Sequence, residues 1–285
     1  MTDRMIRSRR SFIFTPGLKP DMFPKALASG ADIVCVELED GIAPKDKAEA
    51  RKHALALFEP PQANDGVERI VRINSMHEQF GIEDVAAILA TDTPPPALMM
   101  PKVRTPDEVV QLDGLLTERG HTTRLHVIIE TNTGLEAAFD IAQCSDRIDA
   151  MFFGGVDMAA ELRCENAWEP LLYARSRVVH AAAAAGLDVI DVPYLNLEDP
   201  DGMRLAAEQA KALGFSGKGS VHPKQIAALN EIFTPTEVEI ARARRIIGEF
   251  ESADTGLVVI DGKLIEKPVL RDMYRIVAVA DRTTG

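Results

Sequence analysis

The chain has 285 residues, 46% of them hydrophobic, and a formal net charge of −12. This length exceeds that of one average domain but is normal for an α/β barrel, which takes about 250 residues. The negative charge and the lack of a basic tract argue against nucleic acid or membrane partners. The three scattered cysteines fit a reducing compartment. With no signal peptide or long apolar span, the sequence predicts a cytoplasmic protein.

Apolar, strand-like runs alternate with helical patterns through residues 11–221. The predicted strands are Ser11 to Phe14, Asp32 to Leu38, Arg69 to Ile73, Ala97 to Met100, Leu125 to Ile129, Ala150 to Phe153, Asp188 to Ile190 and Gly217 to Val221. The predicted helices are Lys45 to Leu57, Pro106 to Glu118, Gly134 to Ala142, Pro170 to Ala185 and Gly202 to Leu213. Strands that are apolar on both faces and separated by amphipathic helices are typical of a covered parallel sheet. About eight such units favour a closed (β/α)8 TIM barrel over an open doubly wound sheet.

The C-terminal residues follow a different pattern. A long predicted helix, Thr234 to Ser252, begins with the capping-box sequence TPTE. Asp261-Gly262 lies between two short alternating runs and predicts a hairpin, and a last helix is predicted from Val269 to Asp281. We therefore predict a TIM-barrel catalytic domain at 1–232 and a C-terminal extension at 233–285. The extension is too small to fold alone, which indicates a lid or a subunit contact.

Polar residues directly after the apolar runs are the candidates for chemistry, because a β/α barrel has its active site at the carboxyl ends of its strands. Arg72, Glu130 and Asp157 each end such a run. Glu130 and Asp157 provide hard oxygen ligands for one divalent cation and leave coordination positions for a substrate and water. Arg72 can clamp a carboxylate or a developing oxyanion beside that metal. The combination indicates chemistry on a small, anionic, oxygenated substrate.

Simpler interpretations of these residues stay open. Glu130 can cap the following helix, and Asp157 can do the same, since aspartate is a favoured N-cap. His222-Pro223 fits a helix entry better than a catalytic histidine. Arginines near the start, Arg9 and Arg10 among them, leave room for local capture of an anion. Four charged residues at strand ends can form a buried ion-pair network: Glu37, Glu39, Asp40 and Lys102.

A set of longer motifs carries a family resemblance. The chain contains, in order, RSFIFTPG, VELEDGIAPKDKAEAR, VRIN, PKV, IIET, FGGVDMA and GKGSVHPKQI. Together these resemble the citrate lyase β-subunit-like proteins of the HpcH/HpaI aldolase superfamily, and within it the malyl-CoA, β-methylmalyl-CoA and citramalyl-CoA lyases. The resemblance implies a TIM-barrel core, homotrimers or hexamers, and Mg²⁺, with Mn²⁺ as an alternative. It also implies cleavage or formation of 3-hydroxyacyl-CoA thioesters.

The resemblance also implies roles for individual residues. Glu130 and Asp157 would bind Mg²⁺, and Arg72 would contact the thioester oxygen and the keto-acid group. Three residues match positions that line the CoA or substrate site: Phe14, Lys19 and Lys25. Lys19 stands where relatives commonly have arginine, so a bidentate contact there becomes a single point charge.

Two acidic segments complete the predicted site. In LIEKP, Glu266 stands where the lyases carry an aspartate that reaches the active site of a neighbouring subunit as acid or base. Its side chain is longer by one methylene, which changes its reach by about 1 Å. In VELEDG, Asp40 is a further candidate catalytic residue, and Glu37 replaces the more usual aspartate.

The sequence therefore predicts a Mg²⁺-dependent carbon–carbon lyase that cleaves or forms malyl-CoA, β-methylmalyl-CoA or citramalyl-CoA. The products of cleavage would be an acyl-CoA and a 2-oxo acid. Three alternatives stay open: a malyl-CoA-type thioesterase, a CoA-independent 2-oxo acid aldolase, and a noncatalytic acyl-CoA-binding protein. A thioesterase would release CoA without a 2-oxo acid. A CoA-independent aldolase would be insensitive to mutation of Lys19 or Lys25.

Overall fold

The computed structural model describes residues 7–253 and 257–283. The chain divides into two compact units: Arg9–Asn230, and a smaller unit that contains the residues from Glu231 onward together with those before Arg9. Within the described ranges, no helix combines the length and the apolar character needed to cross a bilayer.

The larger unit is a closed barrel of eight parallel strands in chain order, which confirms the predicted TIM barrel. The strands are β1 Ser11–Pro16, β2 Ile33–Glu37, β3 Glu68–Arg72, β4 Ala97–Met100, β5 Arg124–Ile129, β6 Ile148–Phe153, β7 Asp188–Asp191 and β8 Gly217–Ser220. The helices are α1 Phe23–Leu27, α2 Lys47–Ala56, α3 Gln79–Ala90, α4 Pro106–Arg119, α5 Asn132–Gln143, α6 Gly155–Leu162, α7 Trp168–Ala185 and α8 Pro200–Leu213. A further helix, α9 Ile226–Phe233, crosses from the larger unit into the smaller one along the chain. Pairing of β1 with β8 closes the barrel.

Alternate side chains of the strands form one apolar core inside the barrel. Its members are Phe12, Ile33, Cys35, Ile70, Ala97, Met99, Ile128, Ala150, Phe152 and Ile190. The outward-facing residues are also buried, and Val34 and Val36 have no exposed surface. Both strand faces are therefore dry, which explains why the strands read as unbroken apolar runs.

Two elements show where local sequence signals were weak. The strand β8 is rich in glycine because the chain passes so closely that a Cβ on Gly217 would lie 2.0 Å from the Arg9 carbonyl oxygen. The helix α3 was not predicted. Its N-cap, Glu78, makes no side-chain capping hydrogen bond, so the usual sequence signal for a helix start is missing.

The smaller unit contains α10 Glu237–Glu251, β9 Leu257–Ile260, β10 Lys263–Glu266 and α11 Lys267–Thr283. A capping box forms at the predicted helix start with Thr236 at the cap, but its glutamate is Glu239, two residues beyond the TPTE sequence. The predicted hairpin is confirmed, with φ of 51° at Asp261 and 73° at Gly262, the left-handed pair that a tight two-residue turn requires. A small core joins these elements: Ile246, Ile260 and Ile265.

Candidate active site

The carboxyl ends of β3, β5 and β6 carry the three residues predicted to form the site. Arg72 is the last residue of β3 and Glu130 directly follows β5. Asp157 was predicted to end the sixth apolar run, but β6 ends at Phe153 and Asp157 lies in the first turn of α6. The alternative capping roles are wrong, because Thr131 caps α5 and Gly154 stands at the N-cap of α6.

Glu130 is a buried carboxylate with an unusual environment. It is 3% exposed, and its Oε1 accepts a hydrogen bond of 2.8 Å from the backbone N–H of Lys102. Burial first, and then the charges of Glu39 and Asp157, raise the pKa of Glu130 to about 8. A Cβ on Gly154 would lie 2.2 Å from Glu130 Oε2, so only glycine leaves the space beside this oxygen free. Gly154 was not predicted as a site residue, although the Gly154-Gly155 pair directly after β6 was a usable signal.

The donor set fits a divalent cation. Burial, followed by the charge of Asp40, raises the pKa of Asp157. The charge of Asp157 disfavours the ionised form of Glu130, and a shared cation would offset that repulsion; oxygen is also the ligand type that Mg²⁺ prefers. Among the residues that the structure describes, no group of three or more Asp, Glu, His or Cys side chains could hold a metal. Glu130 and Asp157 would therefore leave most coordination positions to substrate and water.

Arg72 is held rigidly beside these carboxylates. Its Nε donates to Glu37 Oε2 at 2.7 Å, and its Nη1 lies 3.0 Å from Glu39 Oε2. Glu37 is the partner of Arg72 in the β2–β3 register, so strand pairing itself brings the two together. The guanidinium also lies 4.4 Å from the centre of the Phe14 ring. These contacts leave part of the planar donor group available for an anion.

The proposed ion-pair network among strand ends is present, and it includes Arg72. Lys102 Nζ lies 2.6 Å from Glu39 Oε1 and 2.9 Å from Asp40 Oδ1. Glu39 thus bridges Arg72 and Lys102. Asp40, predicted as catalytic, has a side chain that is 56% exposed and is bound to Lys102. The structure therefore shows Asp40 as a member of this ion-pair network, and its predicted catalytic role stays a prediction.

A second set of polar residues fixes the loop that carries Glu39. Lys47 is buried, and its Nζ donates to the carbonyl oxygens of Leu38 at 2.9 Å and Glu39 at 2.6 Å. It also donates to Asn74 Oδ1, and Asn74 Nδ2 donates to Asp84 Oδ2 at 2.6 Å. The main chain at Glu39 is therefore tied to α2 and α3, which restricts where its carboxylate can lie.

The remaining predicted site residues lie at the surface. Lys19 follows β1 and is exposed. Lys25, near the end of α1, is exposed and lies 3.6 Å from Asp21. Glu266 is exposed at the end of β10, in the smaller unit.

The N-terminal arginines do not join Lys19 to capture an anion, contrary to the expectation from the sequence. Arg9 and Arg10 precede β1, so they lie at the amino ends of the strands, opposite the candidate site. Arg9 Nε donates to Glu68 at 2.6 Å, and Arg10 pairs with Asp32 at 2.8 Å. His222 caps a short helix by accepting from the backbone N–H of Lys224 at 3.1 Å, which confirms the helix-entry interpretation.

The raised pKa of Glu130 predicts an unusual pH dependence of stability in metal-free protein. Between pH 4.5 and about 8, folded protein keeps a proton on Glu130 that the unfolded chain releases. The free energy of unfolding should therefore fall as pH rises through this window. Urea unfolding in EDTA at several pH values would measure this decrease in the free energy of unfolding. The decrease should be smaller in Glu130→Gln. Parallel pH profiles for the two proteins would contradict this assignment.

Comparisons of the sequence with a family model and with known proteins point to the same family. The family model "HpcH/HpaI aldolase/citrate lyase" matches residues 10–223. Citrate lyase subunit beta of Escherichia coli is 30% identical over 297 residues, covering 100% of this chain and 97% of that protein. L-malyl-CoA/beta-methylmalyl-CoA lyase of Cereibacter sphaeroides is 33% identical over 307 residues, covering 96% and 95%.

Solved structures agree. Protein CitE from Mycobacterium tuberculosis, in complex with magnesium, acetoacetate and coenzyme A, is 27% identical with a TM-score of 0.78. The match covers 95% of this chain and 97% of that chain.

Proposed function

This chain belongs to the HpcH/HpaI aldolase/citrate lyase family, and we propose that it is a Mg²⁺-dependent carbon–carbon lyase for CoA thioesters. Its substrate would be a 3-hydroxyacyl-CoA such as malyl-CoA, β-methylmalyl-CoA or citramalyl-CoA, cleaved to an acyl-CoA and a 2-oxo acid. The observation that carries the proposal is the meeting of two destabilised carboxylates, Glu130 and Asp157, with a fixed guanidinium at the carboxyl end of the barrel.

Glu130 and Asp157 would hold the metal and, through it, the acid half of the substrate. Bound Mg²⁺ supplies Lewis-acid polarisation of the carboxylate and of the hydroxyl or keto oxygen. The backbone N–H of Lys102 orients Glu130, and Gly154 keeps the space beside Glu130 Oε2 free. The protein thus provides a rigid, negatively charged pair of ligands with an open side for the substrate.

Arg72 would stabilise the negative charge that develops on the thioester oxygen. In the cleavage direction the hydroxyl proton would pass to the Glu266 carboxylate, the bond between the two halves breaks, and its electron pair passes to the acyl-CoA as an enolate. Glu37 contacts Nε and Nη2 of the guanidinium and Glu39 contacts Nη1. The group is therefore held in place, and its remaining N–H groups need little reorganisation to meet the enolate oxygen. Preorganised donors of this kind often provide the largest single catalytic effect.

Three residues on or after β1 are proposed to receive the CoA part. Phe14 is partly buried against the barrel core and would contact the acyl end. Lys19 and Lys25 are exposed cations that would meet phosphate groups as point charges.

Glu266 is proposed to return a proton to the enolate from a neighbouring subunit of a homo-oligomer. Support for this role comes from its position in LIEKP and from its exposed carboxylate at the end of β10. Replacement by glutamine should lower C–C cleavage by about 100- to 10,000-fold, the usual contribution of a general acid or base. The affinity for Mg²⁺ should not change.

Mixed oligomers test whether Glu266 acts across subunits. Glu266→Gln and Glu130→Gln subunits, coexpressed and purified together, should recover part of the wild-type turnover, because some sites then receive both intact residues. If Glu266 acts within its own subunit, or has no role in the reaction, the mixture will be no more active than its components.

The function is tested with purified protein and a panel of the three CoA thioesters, with MgCl₂ or with EDTA. Free thiol and 2-oxo acid are followed separately. A lyase releases a 2-oxo acid without free thiol, and only with the metal. Free thiol without a 2-oxo acid would indicate a thioesterase. Turnover of free 2-oxo-4-hydroxy acids would indicate a CoA-independent aldolase. Binding of the thioester without turnover would indicate a noncatalytic acyl-CoA-binding protein. Lys19→Ala should raise the KM of the thioester, because Lys19 is proposed to contact the phosphate groups of CoA. An unchanged KM would contradict that contact.

A further inference from the structure

Lys102 has a backbone conformation that its position in the fold does not require. Its φ is +53°, in the left-handed region that L-residues avoid. Two other non-glycine residues share this conformation among those the structure describes. Arg163 ends α6 and Asp261 lies in the hairpin turn, and such conformations are ordinary at both places. Lys102 lies between β4 and α4, where neither reason applies.

The surrounding packing maintains this conformation. Val103, the next residue, is 1% exposed. Its carbonyl oxygen lies so close to α5 that a Cβ on Gly134 would be 2.1 Å away. Strain that is held in place by packing tends to occur at functional sites.

The conformation lets one residue bind two carboxylates of the site. The backbone N–H of Lys102 donates to Glu130 Oε1 at 2.8 Å, while its Nζ lies 2.6 Å from Glu39 Oε1. The other oxygen of Glu39 lies 3.0 Å from Arg72 Nη1. Lys102 and Arg72 therefore hold Glu39 between them, and Lys102 also touches the proposed metal ligand.

Glu39 is the residue whose freedom would damage the site. It is 2% exposed, and the same residue, Lys102, contacts both its carboxylate and that of Glu130. In the described structure Glu39 does not complete a three-ligand metal site, but once released from Lys102 its carboxylate could turn toward the ion and bind it as a third ligand. As a ligand it would occupy a position that the substrate needs, and it would also leave Arg72.

We propose that Lys102 is a positioning residue that keeps Glu39 on Arg72 and out of the metal's coordination sphere, while its backbone N–H orients Glu130. This rests on the proposed Mg²⁺ site. A purely structural ion pair would have a different signature, since its loss would loosen the site and weaken metal and substrate binding together.

The test uses Lys102→Gly, which keeps the left-handed backbone and its N–H but removes the ammonium. We expect the released Glu39 to join the metal and tighten Mg²⁺ binding, measured by calorimetry, by about 3- to 10-fold. The KM of the thioester substrate should rise by at least about 10-fold, on the scale of lost support for a metal site. Adding Glu39→Gln should return the Mg²⁺ affinity to near the wild-type value.

Arg163→Gly is the matched control, because it also replaces a left-handed, non-glycine residue by glycine, here at an exposed position away from the site's ion pairs. It should raise thermal stability without changing Mg²⁺ affinity or KM. Weaker Mg²⁺ binding in Lys102→Gly, or Mg²⁺ affinity that Glu39→Gln does not reverse, would overturn the proposal. If Glu130→Gln binds Mg²⁺ as wild type does, the proposed metal site itself is wrong, and the role of Lys102 is rejected with it.

Discussion

Replacing Glu130 with glutamine is expected to abolish Mg²⁺ binding and to lower lyase turnover by about 1,000-fold or more, because the metal site loses one of its two charged ligands. Glutamine preserves the shape of the side chain and can still accept the hydrogen bond from the Lys102 backbone N–H. The fold should therefore remain intact. The metal-free variant should even be more stable than wild type at pH 8, because a buried charge facing Asp157 and Glu39 is removed.

Calorimetric titration with Mg²⁺, the 2-oxo acid assay and thermal unfolding in EDTA measure the three effects separately. Glu136→Gln is a matched control, since Glu136 is an exposed glutamate on α5, and it should leave all three unchanged. Turnover and Mg²⁺ affinity near the wild-type values in Glu130→Gln would exclude the proposed mechanism.

The second large effect is expected for Arg72→Lys. Lysine keeps the positive charge but cannot bind Glu37 and Glu39 and also offer a planar pair of donors to a substrate oxygen. We expect kcat to fall by about 100- to 1,000-fold, the range for loss of an oxyanion donor. The affinity for Mg²⁺ should change little, because Glu130 and Asp157 remain.

A loss of stability has to be separated from a loss of catalysis here, because the Arg72 side chain is only 13% exposed and is bound to buried carboxylates. In Arg72→Lys the buried carboxylate of Glu37 loses part of its pairing. The double variant Arg72→Lys/Glu37→Gln removes that charge and should recover thermal stability. Its kcat should stay low. Recovery of kcat together with stability would show that Arg72 acts only by holding the fold.

The barrel was predictable from the sequence because its signal is repeated along the chain. The first six strands read as apolar runs. The last two, β7 and the glycine-rich β8, were weak by composition and were recognisable from their place in the alternation. The helix α3 was missed because a helix without a side-chain cap has only its apolar periodicity as a local signal. Tertiary packing against the barrel stabilises such a helix.

The site was predictable to a smaller extent. Arg72 and Glu130 could be placed at one end of the barrel because each is adjacent to a strand end. Gly154 was missed because its importance lies in the space that a side chain there would take from Glu130 Oε2, and the two residues follow different strands, β6 and β5. The anion-capturing role considered for Arg9 and Arg10 was wrong for a related reason, since closeness in sequence to β1 did not indicate which end of the strand they occupy.

By itself, then, the sequence determined the closed parallel barrel and the end at which its charged residues gather, since strand periodicity and strand ends are local properties. Only the tertiary structure decided how those charges are paired. Glu37 meets Arg72 through the register between β2 and β3, and Glu39 meets Lys102 through a left-handed turn after β4. Both contacts depend on barrel closure and on packing between distant segments. Local patterns do not encode contacts of this kind, because such contacts form only when the whole chain is folded.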